Sequence, residues 1–288
     1  MSFSPFPVRH QSTVRSLDIQ VGRGSAHMEV VISTTPEEAG KLAADAIEEL
    51  LRRRPDAVLG VATGSSPLII YNELGRRVAQ GSLSLAQAQA FMLDEYVGLP
   101  ADHPQRYRNV IRDEFVAKVD IDPVQVFGPD GLADDPAGAC EAYERAIADA
   151  GGIDLQIVGI GTDGHIAFNE PGSSLASRTR IKTLTSQTRR DNARFFGGDL
   201  EAVPQHCLTQ GIGTILEARH VVLVAAGRGK AEAVHQLVEG SVSAMWPATA
   251  LQLHPHVTIF LDTAAASRLQ LASYYIETYQ AKPSWQGF

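Results

Sequence analysis

The chain has 288 residues, with 33 Asp and Glu against 25 Lys and Arg and a net charge of −8. It is not expected to bind nucleic acid, because phosphate-backbone affinity comes from clustered Lys and Arg. Its 44% hydrophobic content supports a full core, yet no stretch approaches the roughly 18 apolar residues that cross a bilayer, so no membrane association is expected either. The two cysteines, Cys140 and Cys207, are too few for a disulfide framework and lack metal-ligand spacing, which points to a reducing, cytoplasmic setting.

Residues 1–27 are rich in arginine and serine and have no apolar stretch, so they read as a disordered N-terminal extension rather than a secretory signal. A single domain is expected over 28–288. Within it, strands are predicted at 30–33, 57–62, 88–93, 124–127, 153–160, 220–226 and 257–261. Helices are predicted at 36–51, 68–79, 107–119, 136–150, 230–238 and 264–275. Strands separated by helices of this length imply an α/β fold, doubly wound, with a mostly parallel sheet covered by helices on both faces. Ligands of such folds bind beyond the C-terminal ends of the strands.

The segments that follow the strands carry the polar chemistry. After the second predicted strand, Thr63-Gly64-Ser65-Ser66 opens a helix at Pro67. Its amides and hydroxyls, with the helix dipole behind them, form an anion cradle if they are more than a capped turn. Asp94 and Glu95 end the third strand, where a general base would face the crevice and where a solvated acid is equally at home. Lys230 stands at a helix start, against the macrodipole, which calls for a shared anion. Arg194 is a candidate second cation.

The most informative stretch runs from Gly159 to Pro171 and holds Asp163, His165 and Glu170 among glycines 159, 161 and 164. Histidine gives and takes a proton near neutral pH, and a carboxylate beside it fixes its tautomer, so the loop has the makings of a proton shuttle. Three other readings compete. The glycine spacing formally matches a dinucleotide fingerprint, but Pro171-Gly172 forbids the long helix that motif opens, and no acid follows where a ribose would need one. A buried structural histidine and a metal site of Asp163, His165 and Glu170 are the other two, the latter without a second His or a Cys nearby.

Three segments together resemble the glucosamine-6-phosphate deaminase family: 93–99 (Leu-Asp-Glu-Tyr-Val-Gly-Leu), 161–171 (Gly-Thr-Asp-Gly-His-Ile-Ala-Phe-Asn-Glu-Pro) and 174–180 (Ser-Leu-Ala-Ser-Arg-Thr-Arg). The resemblance covers about 28–275. It implies a modified doubly wound, Rossmann-like fold and the conversion of D-glucosamine 6-phosphate and water to D-fructose 6-phosphate and ammonia, with no cofactor and no metal. By motif position, Asp94 would be the base at C2, His165 the ring-opening acid/base, and Asp163 and Glu170 the groups that orient and tune it. Thr63, Gly64, Ser65, Ser66, Arg194 and Lys230 would contact the sugar phosphate.

The resemblance also implies regulation. Some bacterial members are hexamers activated by N-acetylglucosamine 6-phosphate, and residues matching Ser174, Arg180, Lys182 and Thr183 bind its phosphate; Ser173 adjoins them. The chain is thus expected to be a homo-oligomer, with a hexamer as one outcome. It departs from those members at Glu217-Ala218-Arg219-His220, where they carry acids. Two rivals share the fold: a 6-phosphogluconolactonase-type hydrolase, expected to lack the 94–98 segment, and a sugar-phosphate sensor, expected to have lost Asp94 or His165.

Overall fold

The computed structural model describes residues 27–283 and 285–288. The predicted N-terminal extension lies outside the described residues except for His27, which already begins β1 (His27–Ser33).

The first helix shows how sequence sets the frame. In α1 (Pro36–Arg53), Thr35 caps the helix by accepting from the Glu38 amide, and the Glu38 carboxylate reaches back to the Thr34 amide at 2.9 Å. Ala39, Ala43, Ile47 and Leu51 recur at the four-residue spacing of one helix face, and that face is buried. Gly40 lets α2 (Ser65–Ala79) approach, since a Cβ there would lie 3.0 Å from Ile69.

The remaining strands of the main sheet are β2 (Val58–Val61), β3 (Gln89–Met92), β5 (Val126–Phe127), β6 (Leu155–Val158), β9 (His220–Ala225) and β10 (His256–Asp262). With β1 they form a seven-stranded, wholly parallel sheet in the order β1-β10-β9-β6-β2-β3-β5. Alternate residues enter two cores. Val58, Val158, Leu223 and Ile259 face one side, where α4 (Pro136–Asp149) and α7 (Ala231–Glu239) pack. Leu59, Ile157, Val224 and Phe260 face the other, where α1 and α2 pack. After β2 the chain winds outward through β3 and β5, then returns on the opposite side through β6, β9 and β10. The reversal lies between β2 and β6, so the crevice that such sheets use for ligands opens there.

A second, antiparallel sheet was not foreseen. It joins β4 (Asp94–Tyr96), β8 (His206–Thr209) and β7 (Arg180–Thr183) in the order β4-β8-β7. Two short helices flank it, α5 (Ser186–Asn192) and α6 (Ile212–Leu216).

Several predicted boundaries move. Helix α3 (Tyr107–Glu114) stops before a 3₁₀ turn at Val116–Lys118. The strand predicted at 124–127 keeps only its last two residues, because Asp122 accepts from the Val124 amide and starts a 3₁₀ turn. The helix predicted at 264–275 is instead a series of turns followed by α8 (Ala272–Gln280). Asp262 takes the Ala265 amide, and Glu239 takes the Gln270 and Leu271 amides, so the local helix cannot propagate. No helix among the described residues is long and apolar enough to cross a membrane.

Candidate active site

The loops that follow β2 and β6 flank the switch point, and close packing brings them together. A Cβ at Gly159 would lie 3.8 Å from that of Ser66, which places the Thr63–Ser66 loop beside the start of the histidine loop. Gly64 has φ +107°, open to glycine, and no side chain caps α2, so the amides at its start remain available to an anion. Tyr71 holds the strand end in place, donating to the Ala62 carbonyl and accepting from the Ala62 amide.

His165 is seated by three contacts. Its Nδ1 lies 2.6 Å from Asp163 Oδ1, and its amide donates to the same oxygen. Gly161 makes room for the ring, since a Cβ there would lie 2.2 Å from it. Gly164, at φ +79°, lies against Trp246, and its carbonyl accepts from the Ala248 amide. A carboxylate can only accept, so Nδ1 carries the proton, which in the neutral imidazole leaves the lone pair on Nε2. Burial pushes the Asp163 carboxyl up, but the hydrogen bonds and charge of His165, with the loop's backbone amides, together outweigh it and leave Asp163 below its ordinary value.

Asp94 begins β4 and is 7% exposed. Among the described residues its carboxyl accepts no hydrogen bond. Burial, reinforced by the neighbouring Glu95 charge, pushes it up to about 8. Glu95 points the other way: its carboxylate takes the amides of Tyr96, Tyr107 and Arg108 at 2.8 to 2.9 Å and so caps α3. The two adjacent acids thus separate into one buried without partners and one fully engaged.

The two cations meet at the same crevice. Burial holds the Lys230 ammonium below its ordinary value, with Asp163 opposing and Arg194 adding to the effect, which puts all three side chains in one field. Lys230 ends a 3₁₀ turn, Arg228–Lys230, that leads into α7. Arg194 lies in a turn after α5, its guanidinium 4.7 Å from the Phe195 ring centroid.

Glu170 forms no hydrogen bond to His165 among the described residues. Its Oε1 accepts from the hydroxyls of Thr185, at 3.2 Å, and Thr188, tying the histidine loop to the start of α5. Sequence reading also passed over Trp246, whose contact could have been sought from a glycine at positive φ. Tyr96 was missed as well; its hydroxyl accepts from Asn192 at 3.0 Å and links β4 to α5.

The regulatory candidates are only partly assembled. Arg180 and Lys182 share one half-buried face of β7, while Ile181 faces outward, 46% exposed. Neither cation hydrogen-bonds to Ser173 or Ser174; the Arg180 guanidinium donates to the Arg178 carbonyl and Thr183 pairs with His206. Ser173 is buried and its hydroxyl has no partner, and Ser174 accepts from the Ala176 amide. Arg219 and His220 lie at the opposite end of the parallel sheet.

Residues 33–260 match the family of glucosamine-6-phosphate isomerases and 6-phosphogluconolactonases. The chain is 72% identical over 260 residues to a glucosamine-6-phosphate deaminase of Mycolicibacterium smegmatis, covering 90% of this chain and 100% of that one. It is 62% identical over 260 residues, with the same coverage, to one of Streptomyces coelicolor. Among solved structures, a monomeric glucosamine-6-phosphate deaminase matches with a TM-score of 0.81 at 43% identity, covering 84% of this chain and 100% of that one. The 6-phosphogluconolactonase of Trypanosoma brucei, with a TM-score of 0.68, 21% identity and coverage of 85% and 100%, shares the fold alone. A family match that spans most of the chain, and relatives this similar over their whole length, show that the chain belongs to the glucosamine-6-phosphate isomerase/6-phosphogluconolactonase family.

Proposed function

We propose that the chain is a glucosamine-6-phosphate deaminase, converting D-glucosamine 6-phosphate and water to D-fructose 6-phosphate and ammonia. Beyond the relatives of that activity, one observation supports this most: a carboxylate-bound histidine and a buried, partnerless aspartate stand on the segments that leave the C-terminal ends of β6 and β3, with two cations and an amide-lined loop at the same end of the sheet.

The geometry suits each step. The Thr63–Ser66 amides, Arg194 and Lys230 hold the phosphate, and that remote binding energy keeps the sugar in reacting position. His165 Nε2 takes the O1 proton and returns it to O5 as the ring opens, while Asp163 stabilises the transient imidazolium. The new C1 aldehyde acidifies the C2–H bond. Asp94 removes that proton and delivers it to C1, the amine passes a proton to O1 as it becomes a ketimine at C2, and water adds at C2 and displaces ammonia to leave the ketone. A base poised near pH 8 is strong for a carboxylate, which suits abstraction from carbon. Glu170 acts by fastening the histidine loop to α5, the helix that precedes Arg194.

The proposal extends to regulation and setting. Arg180, Lys182 and Thr183 on β7, with Ser173 and Ser174, form the site for an activator such as N-acetylglucosamine 6-phosphate. Two cations on one strand face support this. Saturation curves with and without that compound test it, and superimposable curves would refute it. The catalytic groups all come from one chain, so turnover needs no second subunit even where copies assemble; activity that vanishes on dilution to monomer would refute this. A phosphorylated substrate and two free, buried cysteines fit a cytoplasmic enzyme. The activity itself is tested by ammonia release from glucosamine 6-phosphate, with 6-phosphogluconolactone as the competing substrate. Turnover of the lactone alone would transfer the chain to the hydrolase branch.

A further inference from the structure

The two proposed proton-transfer groups belong to different elements, and a run of buried hydrogen bonds joins them. Leu93, next to Asp94, gives its carbonyl to the Gln210 amide at 2.8 Å, and the Gln210 side chain donates to the Met92 carbonyl at 3.2 Å. The Gln210 carbonyl accepts from Asn169 Nδ2 at 2.8 Å, and the same Nδ2 donates to the Ile166 carbonyl at 3.0 Å. Ile166 adjoins His165. Asn169 and Gln210 are both fully buried.

The turn that Asn169 holds is strained. Ala167 has φ +52°, the one positive φ outside glycine among the described residues. The Asn169 amide closes the turn onto Ile166, and the Phe168 amide is held by Thr209 Oγ1 at 3.1 Å. Two buried amide oxygens, Asn169 Oδ1 and Gln210 Oε1, take no hydrogen bond. Strain and unmet acceptors persist where the surroundings impose them, and here they cluster between the two reacting groups.

We propose that Asn169 is a positioning residue that sets His165 against Asp94 by clamping the 166–169 turn to the Gln210 carbonyl. This rests on the deaminase reading above. Asp94 has its own anchorage, since Leu93 also donates to the Val61 carbonyl at 3.0 Å within the main sheet. Loss of the clamp therefore displaces the histidine and leaves the base in place. Ring opening slows and the carbon step does not.

The test compares wild type, Asn169→Ser and a core control, Leu51→Ala, on glucosamine 6-phosphate and its 2-deuterated form, well below every Tm. Wild-type turnover is established first, so that failure of the deaminase reading is seen separately. Asn169→Ser is expected to lose roughly 10- to 100-fold in kcat with KM within about twofold, the size of a sub-ångström misplacement. Its deuterium isotope effect on kcat/KM should fall toward unity, because ring opening now limits the rate. Leu51→Ala should keep both kcat and isotope effect. An Asn169→Ser enzyme with wild-type kcat, or with reduced kcat and an undiminished isotope effect, overturns the proposal. Should that variant not fold, Thr209→Val, which frees the Phe168 amide end of the turn and removes the hydroxyl that donates to the Gln210 carbonyl, must show the same fall in isotope effect; an unchanged value is equally decisive.

Discussion

The two ends of the parallel sheet treat charge in opposite ways. At the N-terminal end, Asp154 is 4% exposed and fully satisfied: it accepts from Arg54 at 2.5 Å, from Arg219 at 3.1 Å and from the Val58 amide at 2.8 Å. His220 beside it stacks on His256 with ring centroids 3.7 Å apart and pairs with Thr258. At the C-terminal end, Asp94 is also buried but its carboxyl has no hydrogen-bond partner, and neither Lys230 nor Arg194 forms an ion pair among the described residues. One end is arranged for stability. The other keeps its charges free for a ligand and gives up stability to do so.

Substitutions at the two ends should therefore fail in different ways. The largest effect is expected from Asp94→Asn, which should lower kcat by about 1,000-fold or more while substrate still binds within about tenfold. Equilibrium binding of fructose 6-phosphate and steady-state turnover measure the two quantities separately. Next comes His165→Gln, with a loss of about 100-fold on the cyclic substrate. Near-normal rates for this variant would remove the histidine from the mechanism. Lys230→Met should raise KM about tenfold and change kcat less, the mark of a phosphate contact made equally in ground and transition states. Asp154→Asn sharpens the contrast from the opposite end. It should cost about 2 kcal/mol of stability by denaturant titration and leave kcat within twofold, because the lost bonds lie at the far end of the strands.

The features legible in the sequence were those with local causes. The β2 turn opening α2 and the glycines around His165 each act within a few residues, and both were read from the sequence. The second sheet has no such signal. Its strands are three or four residues long, and Asp94 pairs with Thr209 across more than a hundred positions, so no periodicity reveals it. That sheet decides how β4 presents Asp94. The helix expected at 264–275 failed for a related reason: Glu239, from α7, takes the amides that a local helix would have used. The partner of Glu170 was invisible too, since Thr185 and Thr188 meet it only because the chain folds back. The roles of Asp94 and His165 came from the family resemblance; the structure buries the Asp94 carboxyl and sets Asp163 against His165.

On the proposed mechanism, the Asp94 carboxyl is kept unsatisfied for chemistry at the expense of stability. A carboxyl raised to about 8 in the fold binds a proton that the unfolded chain has released above about pH 4, so stability declines as pH climbs between those values and the full penalty is present above pH 8. The direct measurement is the thermal midpoint of Asp94→Asn against wild type at pH 9 and pH 5, beside turnover of the same samples. The variant is expected to be without turnover, with a Tm that exceeds wild type by about 2 °C or more at pH 9 and by less at pH 5. A variant that keeps more than a few per cent of turnover, or whose Tm falls below wild type at pH 9, would contradict it.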